Sequence, residues 1–227
     1  MRRIERSCDT PELTEALASA VGDLLVPGDR VAMVGGLGAG KTTFVRGLSR
    51  ALGVDESMVS SPTFVVVNQY PCRSPRLGPG VELVHADLYR LTSAEDLDAV
   101  GWDHLTHGRS IVVAEWPDRA HGALGREGSF AEIELVPTGE TSRIVRISVP
   151  EAWAGRPAWG LLEQRAPTLC RVTGRAVSPT AGSYPFFDDR ARLADLGAWF
   201  GERYKVSRSI REDDLEDDGK SGGPANV

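Results

Sequence analysis

The sequence predicts an α/β fold, a single P-loop domain on a mostly parallel central sheet with a C-terminal extension, and three observations carry that prediction. Short apolar runs, Arg30–Val34 and Ile111–Ala114, have the character of strands buried on both faces, as parallel-sheet interiors are. Helical stripes of apolar residues alternate with such runs along the chain. Between the first run and the helix that follows lies Gly35-Gly36-Leu37-Gly38-Ala39-Gly40-Lys41-Thr42, which fits the pattern G-x-x-x-x-G-K-[ST] at every specified position. Strand, glycine loop and helix come in the order that motif requires.

Each element has its own justification. Thr10-Pro11-Glu12 is a helix start, with Thr10 as N-cap, Pro11 at the first helical position and an acid in the first turn. Leu13, Leu17, Ala20, Val21, Leu24 and Leu25 form its apolar stripe, ended by Pro27-Gly28. Thr42 to Leu52 places Phe44, Val45, Leu48, Ala51 and Leu52 at helical spacing, with Gly53 as the stop. Phe64 to Tyr70 is a β-rich run, and residues 71–80, with three prolines and two glycines, predict an exposed loop. Glu82 to Tyr89 is a second strand candidate, and Ser93 is expected to cap a short acidic helix from Ala94 to about Val100. Ile111–Ala114 delivers Glu115-Trp116-Pro117 at its carboxyl end, where open α/β sheets place their sites. Glu132–Pro137 and Arg143–Val149 alternate as a terminal strand pair around a Thr-Gly turn, and Trp153 to Arg165 predicts a closing helix.

The domain is therefore expected over residues 1–166 and the extension over 167–227. Pro, Gly, Ser and Thr break up the extension as far as Pro185. Asp188 to Tyr204 then predicts one amphipathic helix with Leu193, Leu196, Trp199 and Phe200 on its apolar side. The acidic run Glu212–Asp218 and the Gly-rich end predict a disordered, solubilising tail.

Composition bounds the function. A chain of 227 residues with 41% hydrophobic and 26% charged residues suits one soluble domain with an appendage, or two small ones. No apolar run reaches membrane-spanning length, and no hydrophobic segment of signal-peptide type follows the basic start Met1–Arg6, so a cytoplasmic location without membrane contact is expected. Cys8, Cys72 and Cys170 are odd in number and far apart, which predicts reduced thiols. A net charge of −6 leaves no electrostatic footprint for nucleic acid, so a role near RNA would run through partner proteins.

The chemistry centres on the glycine loop. Its backbone N–H groups converge on a phosphate, and the helix N-terminus adds its dipole. Lys41, the only lysine in the first 204 residues, reaches the β/γ-oxygens as a compact point charge that an arginine fork cannot replace. Thr42 ligates Mg²⁺, and Glu115 is the candidate for a second metal ligand that also orients the attacking water. Without a phosphate to hold, Lys41 is expected to face solvent. The candidate nucleotide contacts are Gly35, Gly38, Ala39, Gly40, Lys41, Thr42 and Thr43, with Thr10 and Arg143 as outlying members. Ser61 and Thr63 stand about twenty residues past the loop, where a γ-phosphate switch or a capped turn would sit. Trp116 is expected to be half core and half site wall, and His85 and Tyr89 either face the nucleotide or are structural.

Four segments together resemble one family. Gly-Gly-Leu-Gly-Ala-Gly-Lys-Thr-Thr-Phe (35–44), Ser-Pro-Thr-Phe (61–64), His85-Ala86-Asp87-Leu88-Tyr89-Arg90-Leu91 and Glu115-Trp116-Pro117 are similar to the successive signatures of the TsaE (YjeE) ATPases, over roughly residues 7–165. Gly36 stands where the family usually has an acid, and Ala86 where an aromatic is common. The resemblance implies a weak ATPase with ATP and Mg²⁺ as cofactors. It also implies two protein partners, TsaB-like and TsaD-like, in forming threonylcarbamoyladenosine on tRNA. It implies Lys41, Glu115 and Asp87 as catalytic residues, Glu115 as metal ligand and Asp87 as a nucleotide contact. On the residues alone, Asp87 could instead pair with Arg90.

Two other classes compete. A GTP-dependent switch needs an N-K-x-D or T-K-x-D motif, and Lys41, Lys205 and Lys220 are the only lysines, none preceded by Asn or Thr. A small-molecule kinase needs an acceptor site and an Arg-bearing lid, for which the 71–80 loop with Arg73 and Arg76 is the candidate. Arg90 and Arg119 are the nearest arginines to serve γ-phosphate charge, and no motif places either.

Overall fold

The computed structural model describes residues 1–91, 94–106, 108–120, 122–126 and 128–205. The elements in chain order are β1 (Arg2–Cys8), α1 (Pro11–Leu24), β2 (Arg30–Val34), α2 (Lys41–Ala51), β3 (Val67–Pro71), β4 (Glu82–Asp87), α3 (Ala94–Ala99), α4 (Trp102–Leu105), β5 (Ile111–Glu115), β6 (Ala131–Pro137), β7 (Arg143–Val149), α5 (Pro157–Gln164), β8 (Thr168–Leu169), β9 (Ala176–Val177) and α6 (Asp189–Lys205).

Seven strands form one sheet in the order β1-β7-β6-β2-β5-β4-β3. Its four inner strands, β6, β2, β5 and β4, run parallel, while β1, β7 and β3 add antiparallel margins. β2 and β5 are direct neighbours, with Arg30 opposite Val112 and Met33 opposite Glu115. Both are apolar because helices or loops cover both faces of the sheet there. On one face α1 and α2 bury Leu17, Leu24, Phe44 and Leu48 completely against Val31, Met33 and Val113. On the other, Leu88, Leu97, Trp102 and Leu124 cover Ala32, Val84 and Ala114. α1 and α2 approach so closely at Gly47 that a Cβ there would lie 2.3 Å from the Glu15 carbonyl oxygen.

Local signals behave as expected in several places. Thr10 caps α1 by accepting the Leu13 amide on its Oγ1 at 3.3 Å, and Pro11 opens the helix. The strands at 131–137 and 143–149 pair antiparallel, within a residue of their expected bounds. All three cysteines are free and buried.

Other expectations need correction. The run from Phe64 does not enter the sheet until Val67, because the Pro62 carbonyl captures the amides of Val65 and Val66 at 3.0 and 2.6 Å in a turn. Phe64 is left 83% exposed, and Val66 takes a left-handed φ of 68°, costly for a β-branched residue. The expected helix from Trp153 divides into a single turn at Glu151–Trp153 and α5, which Pro157 opens. β1 and the small β8–β9 hairpin were not expected. Ser93 and the acidic run Glu212–Asp218 lie outside the described residues.

The segment after Ala166 has its own small cluster of Cys170, Val177 and Ala191, with Tyr184, Phe186 and Phe187 packed against it. Polar contacts tie it back, including Thr180 Oγ1 to Asp23 Oδ2 at 2.7 Å and Arg165 to the Pro179 carbonyl at 3.2 Å. No helix among the described residues is long and apolar enough to cross a membrane.

Candidate functional site

Because β2, β4 and β5 are parallel, their carboxyl ends meet at one edge of the sheet. β2 releases the chain into the loop 35–40, and Gly40, with a φ of 100°, turns it into α2. Gly40 offers no side chain to cap that helix, so the first-turn amides stay available at the loop. A Cβ at Gly40 would meet the Arg143 guanidinium at 2.5 Å, which places the buried Arg143 directly against the loop. Ala39 is buried under the loop, and Gly36 and Gly38 are at its exposed tip.

Register brings the carboxylates together. Asp87 at the end of β4 stands opposite Glu115 at the end of β5, so their side chains share the face that carries α2. Thr42 Oγ1 donates to Glu115 Oε1 at 3.4 Å. His85, two residues before Asp87 and on the same face, approaches the same Oε1 with its Nε2 at 2.9 Å. Asp87 Oδ2 accepts the Thr63 hydroxyl at 2.5 Å and the Ser61 hydroxyl at 3.5 Å, while its Oδ1 takes the Tyr89 amide at 3.1 Å. The 61–63 segment and Asp87 thus form one hydroxyl–carboxylate unit.

Lys41 departs from the expectation that it faces solvent. It is only 6% exposed, and its Nζ donates to the carbonyls of Gly35 and Gly36, both at 2.9 Å. The ammonium also sits 4.1 Å from the Trp116 ring centroid, a cation–π contact. The reason is that the loop's own carbonyls and the indole satisfy the ammonium's charge. Burial lowers the Lys41 pKa, and the charges of Glu115 and Asp87 oppose that shift. Trp116 holds this position in a left-handed conformation, φ 57°, and its ring meets Tyr89 at 5.1 Å.

The remaining candidates scatter. Thr10 caps α1 and lines a cavity of about 720 Å³ shared with Arg175 and Phe187 of the extension, and none of the described contacts ties it to the loop. Thr43 lies on the first turn of α2, with no described contact to the carboxylates. His85 does not face outward: it is fully buried beneath Glu115. Arg90 rests over the Phe64 ring and Arg119 over Tyr89. Arg76 turns inward to the carbonyls of Leu25 and Gly22, which pins the 71–80 loop against the end of α1 instead of holding it as a lid.

A profile of the family described as threonylcarbamoyl adenosine biosynthesis protein TsaE matches residues 8–145. The chain belongs to the TsaE family. The TsaE protein of Streptomyces coelicolor is 43% identical over 146 residues, 61% of this chain and 92% of that protein. That of Treponema pallidum is 37% identical over 124 residues, 55% and 84% of the two chains. The crystal structure of YdiB from Bacillus subtilis superposes with a TM-score of 0.50 at 24% identity, covering 72% of this chain and 93% of that one, a likeness of fold. The residues that join at the strand ends all fall inside the stretch matched to TsaE, and the segment after Ala166 lies outside it.

Sequence reasoning missed the link between His85 and Glu115. Half of the signal was present, since residues 85 and 87 lie on one face of a strand by their period-two spacing, but that this strand lies beside Glu115 is set by the β4–β5 register.

Proposed function

We propose that this TsaE-family chain is the ATP-binding, weakly ATP-hydrolysing subunit of the assembly that forms threonylcarbamoyladenosine on tRNA. The observation that carries the reading is the convergence of Lys41, Thr42, Asp87 and Glu115 where the glycine loop enters α2. Amides of the loop and the first turn of α2 are suited to bind the phosphates of ATP. Lys41 exchanges the Gly35 and Gly36 carbonyls for phosphate oxygens when nucleotide enters. Thr42 Oγ1 and Glu115 Oε1, 3.4 Å apart, are hard oxygen donors of the kind Mg²⁺ takes, so the residues fit this ion. Bound there, Mg²⁺ would neutralise charge developing on the phosphates. Glu115 orients the attacking water, and Thr63 senses the γ-phosphate by leaving or keeping its bond to Asp87.

Slow hydrolysis by the isolated chain follows from the arginines, since Arg90 and Arg119 are both occupied on aromatic rings. Two partner proteins, TsaB-like and TsaD-like, would complete the site, with tRNA reached only through them. Residues 1–166 are the catalytic domain in this reading, residues 167–227 an appendage, and the cytoplasm its place of work. The test is ATP turnover by the chain alone and with both partners, with and without tRNA. A slow basal rate that rises with the partners is expected. A fast rate that the partners leave unchanged would favour an independent enzyme, and stoichiometric phosphorylation of a metabolite would favour a small-molecule kinase.

A further inference from the structure

Glu115 is 3% exposed, and a buried carboxylate needs donors to offset its lost hydration. Among the described residues its hydrogen bonds come from Thr42 at 3.4 Å and His85 at 2.9 Å, both on Oε1. The Thr42 contact is at the long limit for a hydrogen bond, so His85 provides the shorter hold. His85 is itself fully buried on β4, and its Nδ1 has no partner. That orphan fits one tautomer: Nε2 carries the hydrogen and donates to Glu115, leaving only a lone pair at Nδ1.

We propose that His85 is the positioning residue for Glu115, fixing the carboxylate through Oε1, the same oxygen that meets the Thr42 hydroxyl beside the glycine loop. The assignment rests on the proposed role of Glu115. His85 has the wrong burial to touch a substrate, since its side chain is 0% exposed. Its hold on Glu115 matters because a carboxylate that orients water or metal loses its use when displaced by about 1 Å, a shift that can cost about 10²-fold in rate. Donors behind a ligating group are typically worth about 10–100-fold in activity or metal affinity.

The experiment compares the wild type with His85→Leu, His85→Gln, Glu115→Gln and the His85→Leu/Glu115→Gln double variant. Gln can return an N–H near the place of Nε2. His85→Leu should lower kcat by about 10–100-fold with KM for ATP within about 3-fold, and His85→Gln should recover most of that loss. The double variant should be no worse than Glu115→Gln alone, because the two residues act through one contact. Without turnover, calorimetry with a non-hydrolysable ATP analogue should show that His85→Leu shrinks the gain in affinity given by Mg²⁺. In the ligand-free chain, histidine-selective ¹⁵N spectra should show a hydrogen-bonded Nε2–H that shifts in Glu115→Gln. Wild-type kcat in His85→Leu beside an impaired Glu115→Gln would overturn the His85 assignment alone. Wild-type turnover in Glu115→Gln would overturn the site reading and this assignment with it. A loss in His85→Leu that His85→Gln does not recover, with no ¹⁵N shift, would make His85 a packing residue.

Discussion

At the carboxyl edge of the parallel strands, polar groups are buried and hold one another, while in the segment after Ala166 apolar groups are exposed. Lys41, His85, Asp87 and Glu115 are all at most 6% exposed, each engaged by a neighbour. Leu193, Leu196, Trp199 and Phe200 of α6 are 64, 44, 47 and 53% exposed. The first arrangement is affordable because a large apolar cluster on both sheet faces supplies the stability that buried polar groups consume. The second has, among the described residues, a small apolar cluster of Cys170, Val177 and Ala191, and attaches to the rest through contacts such as Thr180 to Asp23. Desolvated polar geometry is what the proposed chemistry on phosphates requires, and among the described residues the first region has it.

The largest expected effect separates the two regions by activity. Glu115→Gln should lower kcat on the order of 10²-fold or more with little change in KM, because in the proposed function the carboxylate acts mainly in the transition state. Arg171→Ala, which removes the extension's ion pair with Asp195, should leave turnover unchanged in the same assay. Comparable losses in both would erase the distinction.

Stability should divide them as well. Gly47→Ala pushes a methyl onto the Glu15 carbonyl and should cost about 1–3 kcal/mol by urea unfolding. Thr180→Val deletes one tether of the extension and should cost about 0.5–1.5 kcal/mol. If the tether proved the costlier of the two, the extension would be part of the structural core.

The smallest effect is in the thiols. Burial pushes Cys8 and Cys72 up to about 11. Burial also pushes Cys170 up, but the Thr173 hydroxyl and the amides of Phe187, Thr173 and Val172 outweigh it and bring the thiol down to about 7. Iodoacetamide should therefore label Cys170 first, and at lower pH than Cys8 or Cys72. Equal labelling of all three would show that the extension is no looser than the domain.

Local chemistry made much of this legible. The Thr10 cap, the glycine loop and the apolar strands β2 and β5 are each written within a few consecutive residues. β1 escaped because Arg2, Arg3 and Glu5 are exposed along a margin strand, and Arg6, on the face of Ile4 and Cys8, turns to the carbonyls of Leu162, Glu163 and Arg165, which leaves Ile4 and Cys8 as its apolar signal. Phe64–Val66 misled because strand propensity there loses to the turn that the Pro62 carbonyl holds. At the site, residue types were readable, but their pairing was not. Whether Lys41 points out or folds back depends on Trp116, 75 positions away in the chain yet 4.1 Å from its ammonium. His85 meets Glu115 only through strand register.

ATP chemistry at Lys41 and Glu115 is proposed to serve tRNA modification. It is tested most directly by mass spectrometry of tRNA nucleosides from cells of the source organism whose sole copy of the chain is wild type, Lys41→Ala or Glu115→Gln. Threonylcarbamoyladenosine should be abundant with the wild type and depleted with either variant, at equal protein levels. Unchanged threonylcarbamoyladenosine in both variants would contradict the account.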